Sequence, residues 1–242
     1  MKIAVLSDIH SNLVALEAVL ASLPSVDAIW HTGDVVGYGP EPQAVVERLI
    51  AAGGVGVRGN HDDAAAGGAS IESFNPDGYR AMVWTRRHID EGARQYLAAL
   101  PERLVPEGST FTLVHGSPRD PIWEYLDSTP AARDNLGVLA TPHCLVGHTH
   151  VPRLFRESGR RVESQVAGED NVVEIDGRRL IVNPGSVGQP RDGDPRSSYV
   201  LIDTAAATIA WRRIRYDIVA TQSAMRAAGL PEWLADRLKL GR

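Results

Sequence analysis

The stretch Cys144–Arg153 reads CLVGHTHVPR, an apolar run that ends in two histidines one residue apart. In extended backbone, residues i and i+2 point to the same side. His148 and His150 are therefore expected to present two imidazoles side by side at the tip of a strand. A polar loop with two solvated rings is the alternative, and the rest of the chain discriminates between them.

Working outward from this stretch, similar tips recur along the 242 residues. SDIHSN places Asp8 and His10 after the apolar run Lys2–Ser7, and HTGDVVGYGPEP places Asp34 after a second run, Asp27–Trp30. RGNHDD supplies Asn60 and His61 after Val55–Val57, and TLVHGSP supplies His115 after Phe111–Val114. Leu13–Leu23 and Gln43–Ala52 carry helical spacing, so the opening alternates strand and helix, as in a parallel sheet with crossover helices. Strands of such a sheet open their carboxyl ends onto one crevice, where these groups could converge. A helical middle runs from about Asn75 to Leu100, and a helical stretch is expected near Ala131–Leu139. VVEIDGRRLIV carries an Asp176-Gly177 turn between alternating runs and predicts a hairpin. SSYVLIDTAAATIAWRRI predicts another strand pair, and the tail about 218–240 a helical segment packed on the outside of a single domain spanning 1–242.

Five of the eight histidines lie in the polar tips; His31, His88 and His143 do not and are read as structural or surface residues. Carboxylate, amide oxygen and imidazole without thiolate suit divalent Mn, Fe, Ni, Co or Zn. The donors exceed what one tetrahedral ion needs, which points to two ions sharing a bridging group. Cys144, the single cysteine, excludes an intrachain disulfide and reads as a buried inert thiol. The net charge of −5 argues against a general nucleic-acid or anionic-membrane binder, though not against a small anionic substrate. No signal-like or membrane-length apolar run is present, and a cytoplasmic location is expected.

The ordered set SDIH, GD, GNHD, VHG and GHTH resembles the calcineurin-like metallophosphoesterase superfamily, and IVNPGSVGQPR resembles its small bacterial members. The resemblance implies an α/β fold, a four-layer α-β-β-α sandwich of two mixed sheets flanked by helices. It assigns Asp8, His10 and His150 to one metal, Asn60, His115 and His148 to the other, and Asp34 as bridge. Such a pair of ions, roughly 3.5–4 Å apart, holds a bridging hydroxide that attacks phosphorus. His61 is placed to protonate the leaving group. Manganese is the expected ion for activity in vitro.

The chain departs from the GD-x-x-DRG pattern of protein phosphatases and symmetrical dinucleoside tetraphosphatases, where the Asp orients the catalytic histidine and the Arg grips phosphate. Gly37 and Tyr38 stand there instead. This favours phosphodiesters over the alternative, phosphomonoesters of protein or nucleotide; a non-catalytic scaffold is a further alternative that the intact donor set opposes. Asn12, Tyr38 and Arg191 are candidate substrate contacts, and Tyr38, Trp123 and Tyr125 offer a stacking wall unless they merely pack. The expected partner is a small phosphoester substrate, with a homodimer as one oligomeric state.

Overall fold

The computed structural model describes residues 1–242. Strands β1 (Lys2–Leu6), β2 (Ala28–His31) and β3 (Gly54–Gly56) run parallel, linked by helices α1 (Leu13–Ser22) and α2 (Pro42–Ala51). Pro42 opens α2 at a position where its missing N–H costs nothing. Helices α3 (Asn60–Ala66), α4 (Pro76–Arg87) and α5 (Glu91–Ala99) follow. The helical middle therefore breaks in two, because Asp90 accepts from the Ala93 N–H and caps a new helix.

A second sheet begins with β4 (Arg103–Leu104) and β5 (Phe111–Val114), continues through α6 (Thr129–Val138) to β6 (His143–Leu145), and adds the hairpin β7 (Arg153–Ser158)–β8 (Arg161–Val166). Then come β9 (Val172–Glu174), β10 (Leu180–Asn183), the hairpin β11 (Ser197–Asp203)–β12 (Thr208–Ile214), and tail helices α7 (Ile218–Ala227) and α8 (Glu232–Asp236). One sheet has the order β3-β2-β1-β11-β12-β9 and the other β4-β5-β6-β10-β7-β8. Both are mixed, and the expected four layers are present.

Alternation along the strands builds the layers. Ile3 and Val5 face the second sheet, meeting Leu113, Leu180 and Val182, while Leu6 packs outward with Leu16, Val46 and Leu49 of the helices. Ile181 and Cys144 face outward from the second sheet against Leu136 of α6. Full burial of each such aliphatic side chain is worth about 1.5–3 kcal/mol, so the two-faced strands anchor the sandwich. No helix is long and apolar enough to cross a membrane.

One expectation is corrected. Val172–Glu174 and Leu180–Asn183 do not form a hairpin: β9 pairs with β12 at the edge of the first sheet, and β10 lies between β6 and β7 in the second. All four residues of β10 are buried, which requires a neighbour on each side and cover on both faces. A short edge strand with one buried residue, Val173, cannot be its partner.

The tail lies on the body. Met225, Leu230, Leu234 and Leu238 pack on Tyr38 and Ala81, and Thr221 donates to the Asn12 side-chain oxygen at 3.1 Å. At the end of β10, Asn183 ties two loops together. Its Nδ2 donates to the Gly147 carbonyl (2.7 Å) and to Thr149 Oγ1 (3.0 Å), and its Oδ1 accepts from the Gly185 N–H (2.8 Å). Asn183→Ala leaves these buried groups without partners and should lower the unfolding free energy by about 3 kcal/mol in urea titrations; a loss below about 1 kcal/mol would refute this tie.

Candidate metal centre

The carboxyl ends of β1, β2, β5, β6 and β10 meet at one edge of the sandwich, and their loops are strained there. Of nine non-glycine residues with positive φ, seven (Asp8, His10, Ser11, Asp34, Tyr38, His148 and His150) stand in these loops. Each such residue costs on the order of 1–3 kcal/mol and persists only where surrounding contacts impose it. The contacts are visible. The N–H groups of Asp8, His10 and Ser11 donate to the carbonyls of Gly33, Asp34 and Val35, each at 3.0 Å. Gly59 and Gly147 serve close approach here, since a Cβ would stand 2.1 Å from Asp34 Oδ1 and 2.2 Å from Ser7 Oγ, respectively.

The left-handed backbone at His148 and His150 corrects the extended geometry expected of the pair. Their rings diverge. His150 Nε2 lies 3.0 Å from His10 Nε2 and 3.3 Å from Asp8 Oδ1. His148 Nδ1 lies 3.0 Å from His115 Nε2, whose other neighbours are Asn60 Oδ1 at 3.2 Å and Asp34 Oδ2 at 3.3 Å. Asp34 Oδ2 is also 3.6 Å from His10 Nε2 and so stands between the two groups. Asp8, His10, Asp34 and His150 form one set of donor atoms within 4.8 Å of one another, and Asp34, His115 and His148 form another.

Hydrogen bonds on the far side of the rings fix their tautomers. His10 Nδ1 faces the Val36 carbonyl (3.2 Å), His115 Nδ1 that of Thr32 (2.8 Å), and His150 Nδ1 that of Gln189 (2.6 Å). Only an N–H can donate to a carbonyl, so each neutral ring turns a bare Nε2 lone pair inward. The Nε2 atoms of His10 and His150 then confront each other as two acceptors. His148 Nε2 is buried without a partner. Asp8 and Asp34 are fully buried, and no Lys or Arg forms an ion pair with either. Confronted lone pairs and buried carboxylates both call for a cation, and backbone carbonyls behind ring N–H groups are the usual support of metal-binding histidines. The donor set fits divalent ions.

Electrostatics agree. Burial pushes His10 and His150 well below the usual histidine range and His148 down to about 3, keeping these rings neutral and able to ligate. Burial also lifts Asp8 to about 7, a cost that a cation would remove. Burial opposes the charge of Asp34, yet His115 and His61 hold its carboxyl well below the usual range. For His115 burial is likewise outweighed, by the charge and hydrogen bond of Asp34, and its pKa rises to about 9.

A cavity of about 320 Å³ opens over these atoms. Of the candidate substrate contacts, Tyr38 and Arg191 line it and Asn12 does not. Asn12 caps α1 through the Ala15 N–H and donates to the Gly188 carbonyl, so it orders the first loop and has no reach to the cavity. His61 also lines the cavity, packed among the rings of Tyr38 (4.4 Å), Phe74 (4.7 Å) and His10 (4.8 Å). A Cβ on Gly37 would stand 2.3 Å from His61 Nδ1. Glycine in place of the acidic residue of the related pattern thus admits this ring position, and His61 Nδ1 is buried with no partner. Sequence reasoning missed Phe74 of the cavity wall, which lies in the α3–α4 connection without a motif, and Asn75, which reads only as the cap of α4. His31, His88 and His143 stay outside both donor sets.

The sequence model of the calcineurin-like phosphoesterase superfamily domain matches residues 1–207, and the chain belongs to this superfamily. Membership places it among metal-dependent hydrolases of phosphate esters. Its relatives include the uncharacterized protein MJ0912 of Methanocaldococcus jannaschii, 38% identical over 99% of this chain and 98% of that protein. Phosphodiesterase YfcE of Escherichia coli K12 is 27% identical over 86% of this chain and 91% of that protein. The crystal structure of a metallophosphoesterase from Sphaerobacter thermophilus superposes with a TM-score of 0.91 at 44% identity, covering 100% and 99% of the two chains.

The centre predicts a pH dependence for metal-stripped protein. Burial depresses His10, His31, His61, His148 and His150, so between about pH 6.5 and 4 the unfolded chain binds protons there that the folded chain does not. Asp8 and Asp62, both raised to about 7, oppose this but are fewer. Stability in chelator should therefore fall as pH drops from 6.5 towards 4. Stability at pH 5 equal to that at pH 7 would contradict the buried neutral histidines.

Proposed function

We propose that this chain is a dinuclear metal-dependent phosphoesterase that hydrolyses phosphodiesters in preference to monoesters. The observation that carries the proposal is Asp34 Oδ2 standing between two sets of inward donor atoms with no lysine or arginine paired to it. Asp8, His10 and His150 would hold one divalent ion, Asn60, His115 and His148 the other, with Asp34 shared. When bound, two such ions lower the pKa of water and draw charge from phosphoryl oxygens. Mn, Fe, Ni, Co and Zn all suit the donors.

The chain's own groups do the rest. With Nδ1 buried, His61 Nε2 is the nitrogen that reaches substrate, and it gives its proton to the departing ester oxygen. A water oxygen forms the new bond to phosphorus, the P–O bond to the leaving group breaks, and a monoester and an alcohol result. Burial pulls His61 down to about 4; a bound phosphate anion opposes this by favouring the charged ring.

Arg191 is the only Lys or Arg on the cavity wall. Its Nη2 donates to Gln189 Oε1 (2.9 Å), its Nε has no partner, and no carboxylate pairs with it. It is the group to hold a non-bridging phosphate oxygen in place of the absent arginine at position 38. One guanidinium suits a diester monoanion better than a monoester dianion. The designation of the E. coli relative as a phosphodiesterase supports the same preference.

Manganese-reconstituted protein should hydrolyse bis(p-nitrophenyl) phosphate with a kcat/KM about tenfold or more above that for p-nitrophenyl phosphate; the reverse order would contradict the diester preference. His61→Ala should keep its metals yet slow alkyl esters by about 10²–10⁴, and activated aryl esters far less. Equal slowing of both would remove His61 as the acid.

A further inference from the structure

The loop that carries Arg191 to the cavity wall is itself acidic. In QPRDGDPR, Asp192 and Asp194 follow Arg191 closely, and either carboxylate could close on the guanidinium and neutralise it. Neither does. Asp192 turns to Arg213 of β12, accepting from its Nη1 at 3.4 Å and also from its Nη2. Asp194 turns to Arg196, accepting from its Nε at 3.0 Å and its Nη2 at 2.7 Å. The Arg191 guanidinium is left over the Tyr38 ring at 5.7 Å, bonded only to the neutral side chain of Gln189.

The Arg213–Asp192 pair is buried, its side chains 3% and 9% exposed. Desolvation of two charges cancels most of what such a pair returns, so it is a poor device for stability. It is a good device for direction, because it fixes where one carboxylate points. Arg213 Nη1 also donates to the Arg196 carbonyl at 3.3 Å, which ties both ends of the acidic segment to one guanidinium.

A second clamp comes from the tail. The Gly193 N–H donates to the Gly241 carbonyl at 2.9 Å. Gly241 has φ +62°, and a Cβ there would stand 2.8 Å from the backbone N and C of Asp194. Any side chain at 241 would therefore push the loop. On the other side, the Arg191 N–H donates to the His150 carbonyl at 3.3 Å. Arg213 and Gly241 both lie beyond residue 207, the last residue matched to the superfamily domain.

We infer that Arg213 and Gly241 are positioning residues of Arg191: they hold its loop with both neighbouring carboxylates turned away, so that the guanidinium stays free for an anion. A free guanidinium donates charge-assisted hydrogen bonds to phosphate, whereas one paired with a carboxylate must first give that partner up. The inference rests on Arg191 as the phosphate-holding group proposed above, and it adds what keeps that group available.

Calorimetric titration of the manganese-loaded protein with inorganic phosphate reads this availability. Arg191→Ala should weaken binding about tenfold, the share of the guanidinium itself. Arg213→Gln should bring a loss of similar size by releasing Asp192, and adding Asp192→Asn should restore affinity to within about threefold of wild type. Gly241→Ala leaves the ion pair in place and should weaken binding about threefold or more. It also carries the test if Arg213→Gln does not fold. In an Arg191→Ala background, neither change should move the affinity by more than about twofold, which a general loosening of the structure would not obey. Full affinity in either folded variant, a loss in Arg213→Gln that Asp192→Asn does not repair, or losses that persist without Arg191 would each overturn the inference and leave the role of Arg191 standing. Phosphate bound as tightly by Arg191→Ala as by wild type would instead remove that role, and the inference with it.

Discussion

The structure depends on negative charge and lone pairs gathered where no lysine or arginine pairs with them. Two buried carboxylates, an amide oxygen and four imidazoles converge from five loops. Three of the rings are turned inward by carbonyls behind them. Without a bound cation, the desolvation of Asp8 and the confrontation of His10 with His150 are both unfavourable. Divalent ions would offset both by taking these atoms as ligands.

The sandwich makes this convergence possible. Parallel β1, β2 and β3 in one sheet and β5, β6 and β10 in the other send their carboxyl ends to the same edge. The gathered loops then brace one another through backbone hydrogen bonds too specific for a mobile surface. Asn183 and Asn12 act at a distance from the chemistry by fixing loops that hold His148, His10 and the Pro184–Arg191 segment. The strain at the seven left-handed residues is sustained by the buried core on either side.

Much of this was legible in the chain itself, because donor residues at strand ends are a local signal. The side chains of Asp8, His10, Asp34, Asn60, His115, His148 and His150 converge at one edge of the sandwich. The backbone that brings them there was not legible: His148 and His150 reach different groups by left-handed turns, and not as neighbours on a strand. The Asp176-Gly177 turn carried every local mark of a hairpin, yet the burial of Leu180–Asn183 between β6 and β7 overrode it. Phe74 was invisible because its position is set by the path of the α3–α4 connection. Gly37 departs from the related pattern in the sequence, but only the fold shows that its missing Cβ makes room for His61.

The central claim is that two ions share Asp34, and counting them tests it most directly. Protein stripped with chelator, reloaded with manganese and dialysed should retain two ions per chain by elemental analysis, and Asp34→Asn should lower the occupancy of both sites together. One ion per chain, or an Asp34→Asn protein that keeps two with unchanged affinity, would contradict a shared carboxylate at this centre.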